Sequence, residues 1–182
     1  MAITKWTIDP AHSEIGFKVK HLMITNVSGR FNEFEAEVLT DNENFSTAQI
    51  DIKIKAASVQ TGKIDRDEHL RNPDFFDAKN HPEILFSSTE LEKIDNEHFV
   101  LYGKLTIKGI TKAVALKVEY SGITKDPWGG QRAGLTITGR LKRTDFGFSF
   151  NAALESGGLV VGEDVTIGSE VQLVKQVAVA AA

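Results

Sequence analysis

A strict two-residue alternation of apolar and polar side chains is the feature that most constrains how this 182-residue chain folds. In residues 48–54 (AQIDIKI), apolar side chains occupy every second position and polar ones fill the gaps. The same pattern recurs in residues 15–20, 34–38, 99–107, 114–119, 135–138 and 165–173. Successive side chains of a β-strand point to opposite faces, so each run predicts a strand with one apolar and one solvated face.

Turn-forming residues separate many of these runs and set the predicted topology. Gly, Asn, Asp and Pro cluster at residues 28–29, 41–44, 95–96, 126–130 and 156–158. Eight or nine strands result, and their alternation excludes parallel strands buried on both faces. The pattern therefore predicts one all-β domain over residues 1–182, built as an antiparallel sandwich or a closed barrel.

One segment lacks the alternation. Residues 64–79 (IDRDEHLRNPDFFDAK) predict a short helix over 65–71 that ends before Pro73, because a residue that precedes proline avoids the helical conformation. A following turn carries Phe75 and Phe76, which we interpret as a plug against the apolar core.

Composition excludes several classes of function. The chain has no Cys, which excludes disulfides, thiolate catalysis and Cys-ligated metal centres. Its net charge is −4 and no basic block stands out, so nucleic-acid binding is not expected. Residues 1–6 contain no apolar signal region, which favours a cytoplasmic protein, or a periplasmic one if a leader has been removed.

The histidines do not predict a metal site. No pair has the four-residue spacing of a helical zinc motif, so we expect no metal and no cofactor. The five are His12, His21, His69, His81 and His98.

The predicted helix carries Arg66, Asp67 and His69 within about one turn. Such a group could in principle serve acid–base catalysis. Acidic residues at a helix N-terminus are, however, favoured by the helix dipole alone. No Gly-x-Ser-x-Gly elbow or phosphate-binding glycine loop accompanies the group, so we do not expect an enzyme.

The apolar face is rich in phenylalanine, with eleven Phe against two Tyr. These side chains could fill a packed core, or they could surround a ligand, since an eight-stranded barrel has room for either. The alternation leaves this choice open.

Several motifs, in order along residues 6–173, resemble the YceI-like family of lipocalin-like, polyisoprenoid-binding proteins. They are WTIDPAHS at 6–13, FKVKH at 17–21, GRF at 29–31, SVQTG at 58–62, RDEHL at 66–70, DFFD at 74–77, HPEILF at 81–86, GKLTIKGITK at 103–112 and RTDFG at 143–147. The resemblance implies an eight-stranded antiparallel lipocalin-like barrel, usually a homodimer, with a short helix near one end. It also implies a lumen that binds, stores or transports a polyisoprenoid, an isoprenoid quinone or a fatty-acid-like lipid.

With a lumen implied, the inward positions of the strands become candidate ligand contacts. They are Phe17, Val19, Phe31, Phe34, Ile50, Ile52, Ile54, Phe86, Leu105, Ile107, Leu116, Phe146 and Phe148. Candidate contacts to a polar head group are His21, Ser58, Arg66, His69 and Asp145.

Two alternative functions stay open beside a lipid-binding barrel. One is a lipid-modifying isomerase or hydrolase that uses Arg66, Asp67 and His69. Another is a stress-linked interaction protein with a packed core. Trp128, in a glycine-flanked turn, either lies at the mouth of the barrel, where it could make a transient membrane contact, or caps the barrel end.

Overall fold

The computed structural model describes residues 2–152 and 160–177, and the turn predicted at 156–158 lies outside them. The described residues form eleven strands and one α-helix, α1 (Ile64–Arg71). The strands are β1 (Ile3–Ile8), β2 (Glu14–His21), β3 (Thr25–Phe31), β4 (Phe34–Asp41), β5 (Asn44–Lys55), β6 (Val59–Gln60), β7 (Glu83–Lys93), β8 (His98–Ile107), β9 (Ile110–Lys125), β10 (Gln131–Lys142) and β11 (Val161–Lys175).

These strands close into an antiparallel barrel with eight strand positions, which confirms the predicted fold class and rules out the sandwich. β1 and β2 together occupy one position, and β3 and β4 occupy the next. The long strand β11 closes the barrel, because one of its edges pairs with β10 while the other pairs with β2 and then with β1. The short strand β6 adds to the end of β3.

The break between β1 and β2 has a local cause. Pro10 has no backbone N–H to donate to a ladder, and it begins a 3-10 turn, Pro10–His12, in which the Ala11 N–H donates to the Asp9 carboxylate. Beyond this turn the chain continues along β11 in the same direction, and on the edge away from β11, β1 pairs with β4 and β2 with β3.

The alternation in the sequence corresponds to the two faces of the barrel wall. In β5, Ala48, Ile50 and Ile54 are buried, whereas Gln49 and Asp51 between them are exposed. The interior is therefore apolar and the outer surface polar, as the period of two predicts.

The helix agrees with its prediction to within one residue. α1 ends at Arg71, and Asn72, just before Pro73, is extended with φ −84° and ψ 173°. Phe75 and Phe76 follow in a turn and are buried. Phe76 packs edge-on against Phe31 and Phe148, with ring centroids 5.6 and 5.0 Å apart, so this turn covers one end of the barrel.

The opposite end of the barrel is closed by an aromatic cluster. Trp6 packs against Phe45 at 5.0 Å between ring centroids, and Phe45 stacks on Tyr120 at 4.8 Å. Phe99 lies edge-on to Tyr120. We call Trp6, Phe45, Phe99 and Tyr120 the aromatic floor. No helix in the described part of the chain is long and apolar enough to cross a membrane.

Candidate ligand-binding cavity

Between the aromatic floor and α1 the barrel encloses a cavity of about 350 Å³. Its wall consists almost entirely of aliphatic and aromatic side chains contributed by strands around the whole barrel. The more exposed lining residues, Lys20, His21 and Phe150, all lie at the end near α1. We call this end the mouth.

Twelve of the thirteen predicted apolar contacts line the cavity. They are Phe17, Val19, Phe31, Ile50, Ile52, Ile54, Phe86, Leu105, Ile107, Leu116, Phe146 and Phe148. Phe34 is not among the lining residues; it is half-buried and packs against the core instead. The position of each side chain follows from strand parity, whereas its role in binding stays a prediction.

The predicted polar contacts divide into two groups. His21, Arg66 and His69 line the cavity near its mouth. Ser58 lies outside the lining and donates its hydroxyl to the Lys55 carbonyl at 2.7 Å. Asp145 is exposed in the 3-10 turn Arg143–Phe146 and does not line the cavity either.

Arg66 is held at the mouth by Thr61. Its Nε donates to Thr61 Oγ1 at 2.7 Å, and its Nη2 donates to the Thr61 carbonyl at 2.8 Å. The Thr61 hydroxyl and backbone N–H in turn donate to the buried Asp67 carboxylate at 2.5 and 2.8 Å. Asp67 therefore fixes the loop that positions Arg66, and its Oδ1 is already used by two hydrogen bonds.

His69 is engaged with different partners. Its Nε2 lies 3.0 Å from Asp74 Oδ2, and its ring packs edge-on against Phe75 and Phe150 at 4.9 and 4.7 Å. Asp67 and His69 do not form a dyad, because Asp67 Oδ1 accepts from Thr61 while His69 Nε2 lies against Asp74.

Arg143 is a lining residue that the sequence interpretation missed, although it begins the RTDFG motif. It is only 5 % exposed, and its guanidinium donates to three backbone carbonyls. The acceptors are Gly162 at 2.8 Å, Phe148 at 3.1 Å and Val161 at 3.4 Å. Burial lowers the pKa of the Arg143 guanidinium below its ordinary value. The bonds join the 3-10 turn to the start of β11, so Arg143 shapes the mouth.

Other missed lining residues come from β10 and β11, where the alternation was visible but was not used to assign contacts. They are Leu135, Ile137, Leu141, Val165, Ile167, Val171 and Leu173.

The remaining histidines each lie near an aspartate of their own segment. His12 Nδ1 is 2.8 Å from Asp9, and His98 Nδ1 is 2.9 Å from Asp95. His81 Nε2 is 4.0 Å from Asp77. Within residues 2–152 and 160–177, no three His, Asp or Glu side chains come together as a metal site would require.

Trp128 lies in the turn between β9 and β10, at the same end as the aromatic floor and opposite to the mouth. Asp126 in this turn bonds Arg132, which also bonds Asp9 after β1. Trp128 is 82 % exposed, so it does not pack as a cap, and its end of the barrel is not the mouth.

Two proteins of known sequence are similar to this chain over most of its length. A UPF0312 protein of Staphylococcus aureus strain N315 is 39% identical over 164 residues, which cover 90% of this chain and 93% of that protein. A UPF0312 protein of Photorhabdus laumondii is 40% identical over 144 residues, which cover 79% of this chain and 74% of that protein.

Solved structures share the barrel. The YceI protein of Campylobacter jejuni is 36% identical with a TM-score of 0.75, and the match covers 93% of this chain and 96% of that one. BcnA of Burkholderia cenocepacia, at 22% identity, has a TM-score of 0.79 over 91% of this chain and 98% of its own. A polyisoprenoid binding domain of Saccharophagus degradans, at 13% identity, has a TM-score of 0.71 over 94% of this chain and 98% of its own. Residues 6–173 match the YceI-like domain, and the chain belongs to the YceI-like family.

Proposed function

We propose that this protein binds one long apolar lipid chain inside the barrel, with the polar end of the lipid at the mouth. The observation that carries the proposal is the cavity of about 350 Å³, whose wall is almost entirely apolar and which opens near Arg66 and His69. Ligand sites of this kind fall in the range of roughly 300–1,000 Å³.

The chemistry of the wall favours an apolar tail over a polar ligand. Side chains such as Ile50, Leu105 and Phe86 offer no hydrogen bonds, and an apolar cavity does not hold ordered water well. A lipid of about 30 heavy atoms that gains ~0.3 kcal/mol per atom would bind with about 9 kcal/mol, which corresponds to a sub-micromolar Kd.

At the mouth, Arg66, His69 and His21 are the groups available to a polar head. Arg66 uses Nε and Nη2 on Thr61, which leaves Nη1 to contact a ligand. The fold of this protein is shared with the polyisoprenoid binding domain of Saccharophagus degradans, so an isoprenoid is the first ligand to test.

We infer binding rather than catalysis for the same residues. The Asp67 carboxylate accepts a hydrogen bond from the Thr61 hydroxyl, and His69 lies against Asp74 and two phenyl rings. Asp67 and His69 therefore do not act on a bound lipid as a pair, and the His69 nitrogen nearest to a carboxylate is engaged by Asp74. Turnover of a bound lipid that disappears in His69→Ala would contradict this inference.

The direct test is organic extraction of the purified protein followed by mass spectrometry. We expect one class of lipid with a long apolar chain, in an amount comparable to the protein. The delipidated protein should also bind a fluorescent fatty acid, and added geranylgeraniol or palmitic acid should displace this probe. A protein that is free of lipid and takes up none of these probes would refute the proposal.

A cavity-filling variant locates the binding site. Ala36 on β4 lines the cavity, and Ala36→Phe places a ring in the space that a lipid tail would occupy. We expect at least a tenfold loss of probe affinity with the fold retained. The matched control is Ala115→Phe on β9, where the alanine is exposed on the outer face. Equal probe affinity in the two variants would place the lipid outside the cavity.

A further inference from the structure

The tip of the β2–β3 hairpin exposes three consecutive apolar side chains. Leu22, Met23 and Ile24 are 39 %, 51 % and 76 % exposed. Elsewhere in the described part of the chain, large exposed apolar residues do not occur as such a run. The tip directly follows His21 and Lys20, both of which line the cavity, so it lies beside the mouth.

The backbone of the tip does not favour these residues. Leu22 has φ +53° and Met23 has φ +63°, both in the left-handed region. Two successive residues of this conformation in a hairpin normally select Asn followed by Gly. Ile24 N–H donates to the His21 carbonyl at 3.2 Å, which closes the turn without any contribution from the side chains. The fold therefore gives no reason for large apolar groups here.

Charge distinguishes the hairpin from the rest of the molecule. Residues 15–32 contain Lys18, Lys20 and Arg30 and no acidic residue, in a chain whose net charge is −4. Among the residues that the structure describes, Glu163 and Asp164 bring negative charge next to the hairpin, in the bulge of β11 that faces one edge of β2. α1, at the other side of the mouth, is acidic.

We propose that the β2–β3 hairpin is a membrane anchor that docks the mouth of the barrel onto an anionic lipid bilayer. Leu22, Met23 and Ile24 would enter the interface between head groups and acyl chains, while Lys18 and Lys20 contact anionic head groups. The mouth would then face the bilayer, and a lipid tail could enter the cavity without crossing water. Docking itself does not depend on a lipid in the cavity; only the transfer of a tail rests on the proposed function.

The test is co-sedimentation of the full chain with vesicles of phosphatidylcholine and phosphatidylglycerol at a 3:1 ratio. The key variant is Leu22→Asn with Met23→Gly, which gives the tip the residues that its backbone favours. We expect at least a tenfold loss of vesicle binding together with a melting temperature equal to or above that of the wild type. If Leu22 and Met23 had only a structural role, the double variant would not lose vesicle binding while keeping its melting temperature.

Two controls test whether vesicle binding is specific to the hairpin tip and to anionic lipid. Trp128→Asn removes an exposed aromatic group from the opposite end of the barrel and should leave vesicle binding unchanged. Vesicles of phosphatidylcholine alone should bind the wild type more weakly than the mixed vesicles. Unaltered binding of the tip variant, loss of binding in Trp128→Asn, or no binding of the wild type would each overturn the proposal.

Two further measurements separate docking from cavity binding and from self-association. The tip variant should take up geranylgeraniol added from ethanol as the wild type does, but should accept it more slowly from vesicles. If the wild type bound vesicles but took up no lipid probe, the proposed function would be refuted and the docking proposal would still hold. A change of molar mass in the tip variant by sedimentation would mean that the tip contacts a second copy, which contradicts docking.

Discussion

At the scale of single residues, Trp6 and Thr40 form a fully buried polar pair beneath the cavity. The Trp6 indole Nε1–H donates to Thr40 Oγ1 at 3.0 Å, and the Thr40 hydroxyl donates to the Asn42 carbonyl at 2.6 Å. Both side chains are at most 1 % exposed. The pair fixes the indole within the aromatic floor, because a buried N–H without an acceptor is costly.

We expect Thr40→Val to destabilise the protein by about 2 kcal/mol, since it leaves the indole N–H unpaired at nearly constant volume. The free energy of unfolding in urea measures this change. Thr40→Ser retains the hydroxyl and is the control, with a much smaller loss. Equal stability of the Val variant and the wild type would show that the indole has another acceptor.

At the scale of elements, Arg132 joins three segments at the closed end. Its Nη1 donates to Asp9 Oδ2 at 2.6 Å and to Gln172 Oε1 at 2.8 Å, and its Nε donates to Asp126 Oδ2 at 3.1 Å. β10, the turn after β1, and the β9–β10 turn are thereby tied to β11. The hydrogen bond from His12, followed by that from Arg132, lowers the pKa of Asp9 from 3.8 to about 2.

This depressed pKa predicts a specific pH dependence. A carboxylate with a lower pKa in the folded state stabilises the fold above pH 3.8, and the contribution is lost as the pH falls towards 2. We expect Asp9→Asn to cost about 1 kcal/mol at pH 6, after allowance for solvent screening, and nearly nothing at pH 2. Urea unfolding across this range measures the difference. A cost that is constant with pH would contradict the role of the Asp9 charge.

At the scale of the whole molecule, the barrel is closed and packed at one end and hollow above it. A ligand that binds only the folded state stabilises it by mass action, by about 2.7 kcal/mol at a hundredfold excess over Kd. For a chain of this size we expect a rise in Tm of about 5–10 °C when the delipidated protein is saturated with a long-chain lipid.

Differential scanning calorimetry measures this shift, and Ala36→Phe provides the comparison. The added ring occupies the cavity, so Tm of this variant should respond little to the lipid, while Ala115→Phe should respond as the wild type does. A lipid-induced rise of equal size in all three proteins would mean that the lipid acts outside the cavity.

The elements were predictable where the signal was local. The alternation in β5 and β8 identified both faces of each strand, and Pro73 marked the end of α1 correctly. Pro10 marks the break between β1 and β2 locally, but the fact that both strands share one barrel position was not predictable, because it depends on their pairing with β11 more than 150 positions away from β1. The place of Trp128 at the closed end was missed for the same reason.

The sequence by itself determined that the chain forms amphipathic strands with an apolar inner face, and its motifs identified the family. Both properties can be recognised in the sequence, because strand alternation and short motifs depend on residues that are close together along the chain. The alternation left sandwich and barrel open, and the barrel was expected only from the family resemblance; the tertiary structure shows that the strands close, leaves a cavity above the aromatic floor, and brings Arg66, His69, His21 and Arg143 to one mouth. Those outcomes depend on which strands pair and on how much volume the inward side chains leave unfilled, and neither is a property of neighbouring residues.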